Sequence, residues 1–313
     1  MVNLLKGMAV KRKKSTRQGG ACRSTAFTLV ELLAVLGIIA ILVALLIPAL
    51  TMVRKMAKET QQKAQITTIE LAIVAFKNDY GDYPPSHGCS FSGGVCNPDY
   101  TTYCGAQTLA EALVGWDLMG FHPKSAWRAD GYDKDGGRWT YDPAKSRDDN
   151  SDGIPDTLNE RKGPYLELAT ASAFRLGDLF TDTSSFKPYN FVICDVFGVK
   201  SVTIGKKTVK AGAPILYYRA NTSSKTIDSS EPDPRKRIYN YMDNFYFVRD
   251  VKEPADEGVN PLVSSSFFYE YIADKKVTTV KWPSRPDSYL LISAGADGLY
   301  GTRDDICNFD PNS

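Results

Sequence analysis

The chain has 313 residues, 43% of them hydrophobic and 24% charged, which is the composition of an ordinary globular protein and excludes disordered and collagen-like chains. That length holds one or two domains with a sizeable core. Its net charge of +2 hides an asymmetry: residues 1–26 carry seven basic groups and no acid, leaving 31 basic groups against 36 acidic ones in 27–313.

An acidic body behind a basic tip excludes a nucleic-acid binder, whose basic patch belongs on the folded part. The tip immediately precedes an apolar span, so the positive-inside rule places it in the cytoplasm and the remainder outside. Residues 26–50, AFTLVELLAVLGIIAILVALLIPAL, contain one charged side chain, Glu31. The run from Leu32 exceeds a secretory h-region, and no small-x-small cleavage site follows it. Cys22 has no upstream apolar core, which excludes a lipoprotein signal. A single transmembrane helix is expected.

Beyond the span, Ile66, Ile69, Ile73, Phe76 and Tyr80 are spaced 3-4-3-4, one stripe of an amphipathic helix, with Thr67, Glu70, Lys77 and Asn78 off it. Gly81 and the paired prolines of GDYPP end that helix. Pro48 is expected to bend or loosen it.

Residues 26–50 resemble the N-terminus of type IV prepilins and type II secretion pseudopilins, in which a basic leader and a small residue precede Phe-Thr-Leu-x-Glu. The resemblance implies cleavage by a prepilin peptidase between Ala26 and Phe27, then N-methylation of Phe27. Glu31 falls at the fifth mature position and Pro48 at the twenty-second, as that pattern has them. Ala26 stands where glycine is usual. KAQITTIELAIVAFKNDYGDYPPS resembles the same region of the major pseudopilin, and TLAEALVG at 108–115 resembles the short helix that follows there.

After residue 81, short β-rich runs alternate with Gly, Pro, Asp and Asn. Strands are expected at 189–198, 213–220, 244–248 and 288–295, a hairpin around Gly205, and a short helix near 170–180. The expected fold is α+β, a long N-terminal helix packed on a small antiparallel sheet. The expected divisions are a basic leader at 1–26, a transmembrane part at 27–52 and an amphipathic continuation at 53–80. A loop-rich insertion at 81–186 and the sheet with a C-terminal loop at 187–313 complete them. An exported body allows disulfides, and the Cys89/Cys96/Cys104 cluster is expected to hold one bridge whose pairing the sequence leaves open.

Two acidic stretches suit Ca2+. In DDNSDGIPD, Asp148, Asn150, Asp152 and Asp156 recur at even spacings, Gly153 permits a sharp turn, and Ile154 supplies a carbonyl. It resembles the calcium loops of extracellular repeat proteins more than an EF-hand, because Asn159 occupies the twelfth loop position. In SAGADGLYGTRDDICNF, Gly295, Gly298 and Gly301 make a tight loop in which Asp297, Asp304 and Asp305 can turn inward. It resembles the C-terminal calcium loop of major pseudopilins. That resemblance implies Asp297 and Asp305 as first ligands, Asp304 next, and carbonyls near Leu299 and Thr302.

No GxSxG elbow, HExxH helix or phosphate-cradling loop appears, and His87 and His122 read as loop residues, so no enzyme is expected. The expected role is a structural subunit of a type II secretion pseudopilus or type IV pilus, in the inner membrane with its body periplasmic. Its expected partners are further copies of itself, the prepilin peptidase, the secretion system's inner-membrane assembly platform and the membrane. The alternative is a calcium-dependent minor or tip subunit recognising secreted cargo.

Overall fold

The computed structural model describes residues 28–92, 95–134, 140–141, 156–227, 231, 233–251 and 259–311. Helix α1 covers Leu29–Tyr80. The chain divides into two compact units, up to Val53 and from Arg54 onward.

In the first unit, α1 is apolar on every side. Leu32, Leu36, Ile39, Leu42, Leu46 and Leu50 are all exposed, as are Val35, Ile38, Ile41 and Leu45 on the other faces. A helix apolar all round belongs in lipid or in a protein interior. It is the one helix among the described residues long and apolar enough to cross a membrane. Pro48 lies within it, and the Thr51 hydroxyl donates to the Pro48 carbonyl at 2.8 Å.

In the second unit, the expected stripe is the buried face of α1. Ile66, Ile69, Ile73 and Phe76 are buried, joined by Gln62 and Ala72, while Tyr80 is half-buried. The helix stops at Gly81, whose φ of +84° closes the last turn and whose N–H donates to the Lys77 carbonyl.

Strands β1 (His87–Ser92) and β2 (Val95–Cys104) form a hairpin stapled by the Cys89–Cys96 disulfide, the one bridge expected of that cluster. Helix α2 (Gly105–Val114) follows and is buried along its whole length. It packs with α1 in one apolar cluster, so residues 81–186 contribute to the core as well as to the surface. Gly105 is required there, because a Cβ would lie 2.1 Å from the Tyr217 carbonyl oxygen.

Short turns of helix α3 (Asp156–Asn159), α4 (Leu168–Ala171) and α5 (Leu176–Leu179) flank strand β3 (Ala173–Arg175), which pairs with β4 (Phe191–Ile193). The expected 189–198 strand is therefore three residues long and lies in a separate ladder. Strands β5 (Lys200–Ile204) and β6 (Lys207–Ala211) form the expected hairpin, with Gly205 at φ +62° opening its two-residue turn.

The expected strand at 244–248 is instead part of helix α6 (Met242–Asp250). Its buried residues Asp243, Asn244, Phe247 and Val248 fall on one helical face. A five-residue aromatic run suits either conformation, and here packing decides against β-propensity. Helix α7 (Ser265–Tyr271) starts at Ser264, whose hydroxyl caps the Phe267 N–H.

The central sheet is β7 (Leu216–Arg219), β8 (Tyr289–Ser293) and β9 (Ile306–Cys307), antiparallel throughout. Every residue of β8 is buried, and its alternation divides the interior. Tyr289 and Leu291 join the α1–α2 cluster, whereas Leu290 and Ile292 join a second cluster with Phe247 and Phe268 from α6 and α7. Asn308, just past β9, accepts from the Leu291 N–H at 2.9 Å and donates to Glu70 of α1 at 3.2 Å. Arg285 pairs with the same Glu70 at 3.0 Å. The fold is thus mixed helix and antiparallel sheet, with the second half of the long helix packed on a three-stranded sheet.

Candidate functional site

Three places carry chemistry beyond packing. The first is the start of α1. Ala26 and Phe27 lie outside the described residues. Glu31 sits in the first turn, where its Oε2 accepts from the Thr28 N–H at 2.9 Å and the Thr28 hydroxyl at 2.8 Å. The Glu31 N–H donates back to Thr28 Oγ1 at 3.2 Å. This reciprocal pattern is a capping box, satisfying donors that a helix start leaves open. Glu31 thus has a local partner, yet its charge has no cation on it in these contacts.

The second is a polar row on α1 that sequence reasoning missed. Lys58 donates to the Phe197 carbonyl at 2.6 Å, Gln62 accepts from the Val196 N–H at 2.9 Å, and Gln65 donates to the Cys194 carbonyl at 2.9 Å. These residues continue the register of the apolar stripe toward the N-terminus, 62 and 58 lying four and eight positions before Ile66. That register was the available signal. Inside the loop they hold, Asp195 is buried and accepts from Ser293 at 2.9 Å and the Phe197 N–H at 3.1 Å. Burial pushes its carboxyl up to about 7, against those hydrogen bonds.

The third is the C-terminal loop between β8 and β9. Gly295, Gly298 and Gly301 all have positive φ, and a Cβ on Gly295 would lie 2.4 Å from the Asp304 carbonyl. Asp304 latches the loop across its neck: Oδ2 accepts from the N–H groups of Ala296 at 2.6 Å and Asp297 at 3.0 Å. Burial opposes ionisation, but these bonds and the Thr302 hydroxyl hold its carboxyl below the usual range. Asp305 Oδ2 accepts from the Gly301 N–H at 2.7 Å and the Tyr271 hydroxyl at 2.6 Å. Burial pushes this carboxyl up to about 6.

Three oxygens converge on the Thr302 hydroxyl: Asp304 Oδ1 at 2.6 Å, Asp305 Oδ1 at 3.3 Å and the Leu299 carbonyl at 3.4 Å. One hydroxyl hydrogen can serve only one of them. An all-oxygen set with two carboxylates and a carbonyl suits a hard cation such as Ca2+. Asp297 Oδ1 accepts from the Leu299 N–H at 2.8 Å, and its side chain also meets the Asp304 carboxyl. Among the described residues, no group of three or more His, Cys, Asp or Glu side chains is placed to hold a metal. The oxygens around Thr302 come from two carboxylates and a carbonyl.

Of the other acidic stretch, Asp148, Asn150, Asp152 and Ile154 lie outside the described residues. Asp156 opens α3, and its side chain lies outside the description too.

The remaining polar clusters read as structure. Glu111 of α2 is buried and accepts from the hydroxyls of Tyr103 at 2.6 Å, Tyr141 at 2.8 Å and Ser125, with burial raising its carboxyl above the usual range. His122 is buried with Nδ1 accepting from the Lys124 N–H at 3.1 Å, and burial brings its imidazole down to about 4. His87 opens β1, half-buried, its Nδ1 on the Gly88 carbonyl.

Compared with protein-family models, curated proteins and solved structures, the chain matches none.

Proposed function

We propose that the chain is a pilin-like structural subunit, anchored in the cytoplasmic membrane by α1 and polymerising into a type II secretion pseudopilus or a type IV pilus. The observation that carries this reading is the N-terminal arrangement. A basic leader abuts Phe27-Thr28-Leu29-Val30-Glu31, and from Leu29 runs a helix apolar on all faces that continues into an amphipathic half packed on a folded body. A carboxylate within a membrane-length span costs roughly 3 kcal/mol near the bilayer centre, a cost that a cation supplied by a neighbouring subunit offsets. The amine freed at Phe27 by leader removal is such a cation.

On this reading the leader stays cytoplasmic, the body lies outside the membrane, and the chain serves as a building block and no enzyme. The prepilin peptidase and the secretion platform are its processing and assembly partners. Intact-mass measurement of the protein from membranes checks the processing step: a chain beginning at Phe27 with one added methyl is expected. A chain still carrying residues 1–26, or cleaved beyond Leu50, refutes it.

The oxygens around Thr302 fit Ca2+, with Asp304, Asp305, the Leu299 carbonyl and the Thr302 hydroxyl as its holders. A bound cation would neutralise two adjacent carboxylates and fix the neck between β8 and β9. Stabilisation then follows mass action, about 2.7 kcal/mol at a hundredfold excess over Kd. Adding calcium to the chelated protein is expected to raise Tm by several degrees, and Asp305→Asn to abolish that rise. An equal Tm with calcium and with chelator refutes the site.

A further inference from the structure

Two segments that the fold brings together carry a net positive charge within an otherwise acidic body. Residues 54–63 of α1 carry Arg54, Lys55, Lys58 and Lys63 against Glu59 alone, and residues 196–212 carry Lys200, Lys206, Lys207 and Lys210 with no acid. The rest of 54–313 holds 23 basic groups against 34 acidic ones. Lys58 on the Phe197 carbonyl and Gln62 on the Val196 N–H seat the root of the β5–β6 hairpin against the helix turn that follows the apolar run.

The hairpin's own surface adds a second observation. Lys206, Lys207 and Lys210 are exposed, and so is Ile204, 53% exposed beside the turn. Gly205 has open space around it. Lys200 differs, folding back over the Phe180 ring at 3.8 Å. An exposed isoleucine at a turn flanked by lysines is the pattern of a tip that enters a headgroup layer: apolar point, cationic collar. An acidic protein surface would match the lysines and leave the isoleucine without a partner.

We propose that the β5–β6 hairpin, with the basic turn of α1 at 54–63, docks on anionic phospholipid headgroups of the membrane that α1 spans. This inference rests on the span reading above. Each lysine held within a Debye length of an anionic surface adds about fivefold to the attraction, and salt screens it. The contact would fix how the body stands on the membrane before a subunit leaves it for a filament.

The test uses the full chain in nanodiscs of phosphatidylcholine alone or with one-third phosphatidylglycerol, labelling lysines with an amine-reactive acetyl ester read by mass spectrometry. Labelling of Lys206, Lys207 and Lys210 is expected to slow severalfold in the anionic discs and to recover at high salt. Exposed Lys275 and Lys276 serve as the reference. Ile204→Ser is expected to weaken the protection while the fold persists. Equal labelling in both lipids overturns the inference and leaves the span intact. Protection that ignores lipid charge but grows with copies per disc overturns it in favour of a subunit contact. A chain that fails to enter discs overturns the span reading and this inference together.

Discussion

Glu31→Gln is expected to abolish filament assembly while the protein still enters the membrane at wild-type levels. The capping box makes this substitution more informative than alanine. Glutamine keeps the oxygen that accepts from the Thr28 N–H and hydroxyl, so the helix start is preserved and only the charge is lost. Alanine removes both and leaves only the other half of the box, the Thr28 hydroxyl accepting from the backbone N–H of residue 31. If the charge meets a neighbour's N-terminal amine in hydrocarbon, losing about 3 kcal/mol per contact weakens each association more than a hundredfold. Both variants then fail alike. If capping is the whole role, Glu31→Gln assembles normally and Glu31→Ala is mildly impaired. Sedimentation of sheared filaments, with membrane fractions as the insertion control, separates the two, and normal filaments from Glu31→Gln sink the assembly role.

The other large effect lies where the helix meets the body. Phe76 is buried among four rings, with centroid distances of 4.7 Å to Tyr80, 5.0 Å to Phe121, 5.9 Å to Tyr165 and 6.3 Å to Trp127. Phe76→Ala is expected to cost about 3–5 kcal/mol, the sum of lost transfer energy and an unfilled cavity. That is a large share of the 5–15 kcal/mol typical of a domain. Leu71 on the same helix is 67% exposed, so Leu71→Ala should stay within about 0.5 kcal/mol. Urea unfolding of the two variants checks the contrast, and equal midpoints would mean the stripe does not bear on the core.

Features set by local periodicity are legible in the sequence. The 3-4-3-4 stripe named the buried face of α1, Gly81 named its end, and the Gly205 hairpin and the runs that became β7 and β8 were read from β-branched and aromatic content. Features set by long-range packing were not. NFYFV reads as a strand in isolation and is helical because Asn244 caps α2 through the Ala106 N–H at 3.0 Å and ties to the Tyr217 carbonyl at 2.8 Å. The grip of Lys58, Gln62 and Gln65 on 194–197 spans 129 to 139 residues of sequence, so no window could contain it. At the C-terminal loop, the resemblance implies Asp297 and Asp305 first and Asp304 next, and the sequence alone does not show how the loop turns each carboxylate. Asp297 accepts from its own loop amide, while the Thr302 hydroxyl meets Asp304 and Asp305, contacts that follow from the fold of the loop.

Asn308 carries a consequence in time. Its side chain fastens β8 to Glu70 of α1 across 238 residues of sequence. A ribosome adding about 5–20 residues per second takes roughly 10–50 seconds to get from one partner to the other. Throughout that interval the apolar face of α1 has been made and its covering sheet lacks the β9 edge. A chain threaded outward by its N-terminal span would therefore wait, part-dressed, on the far side of the membrane. Whatever shields Ile66, Ile69, Ile73 and Phe76 during that wait governs how many chains reach the folded state.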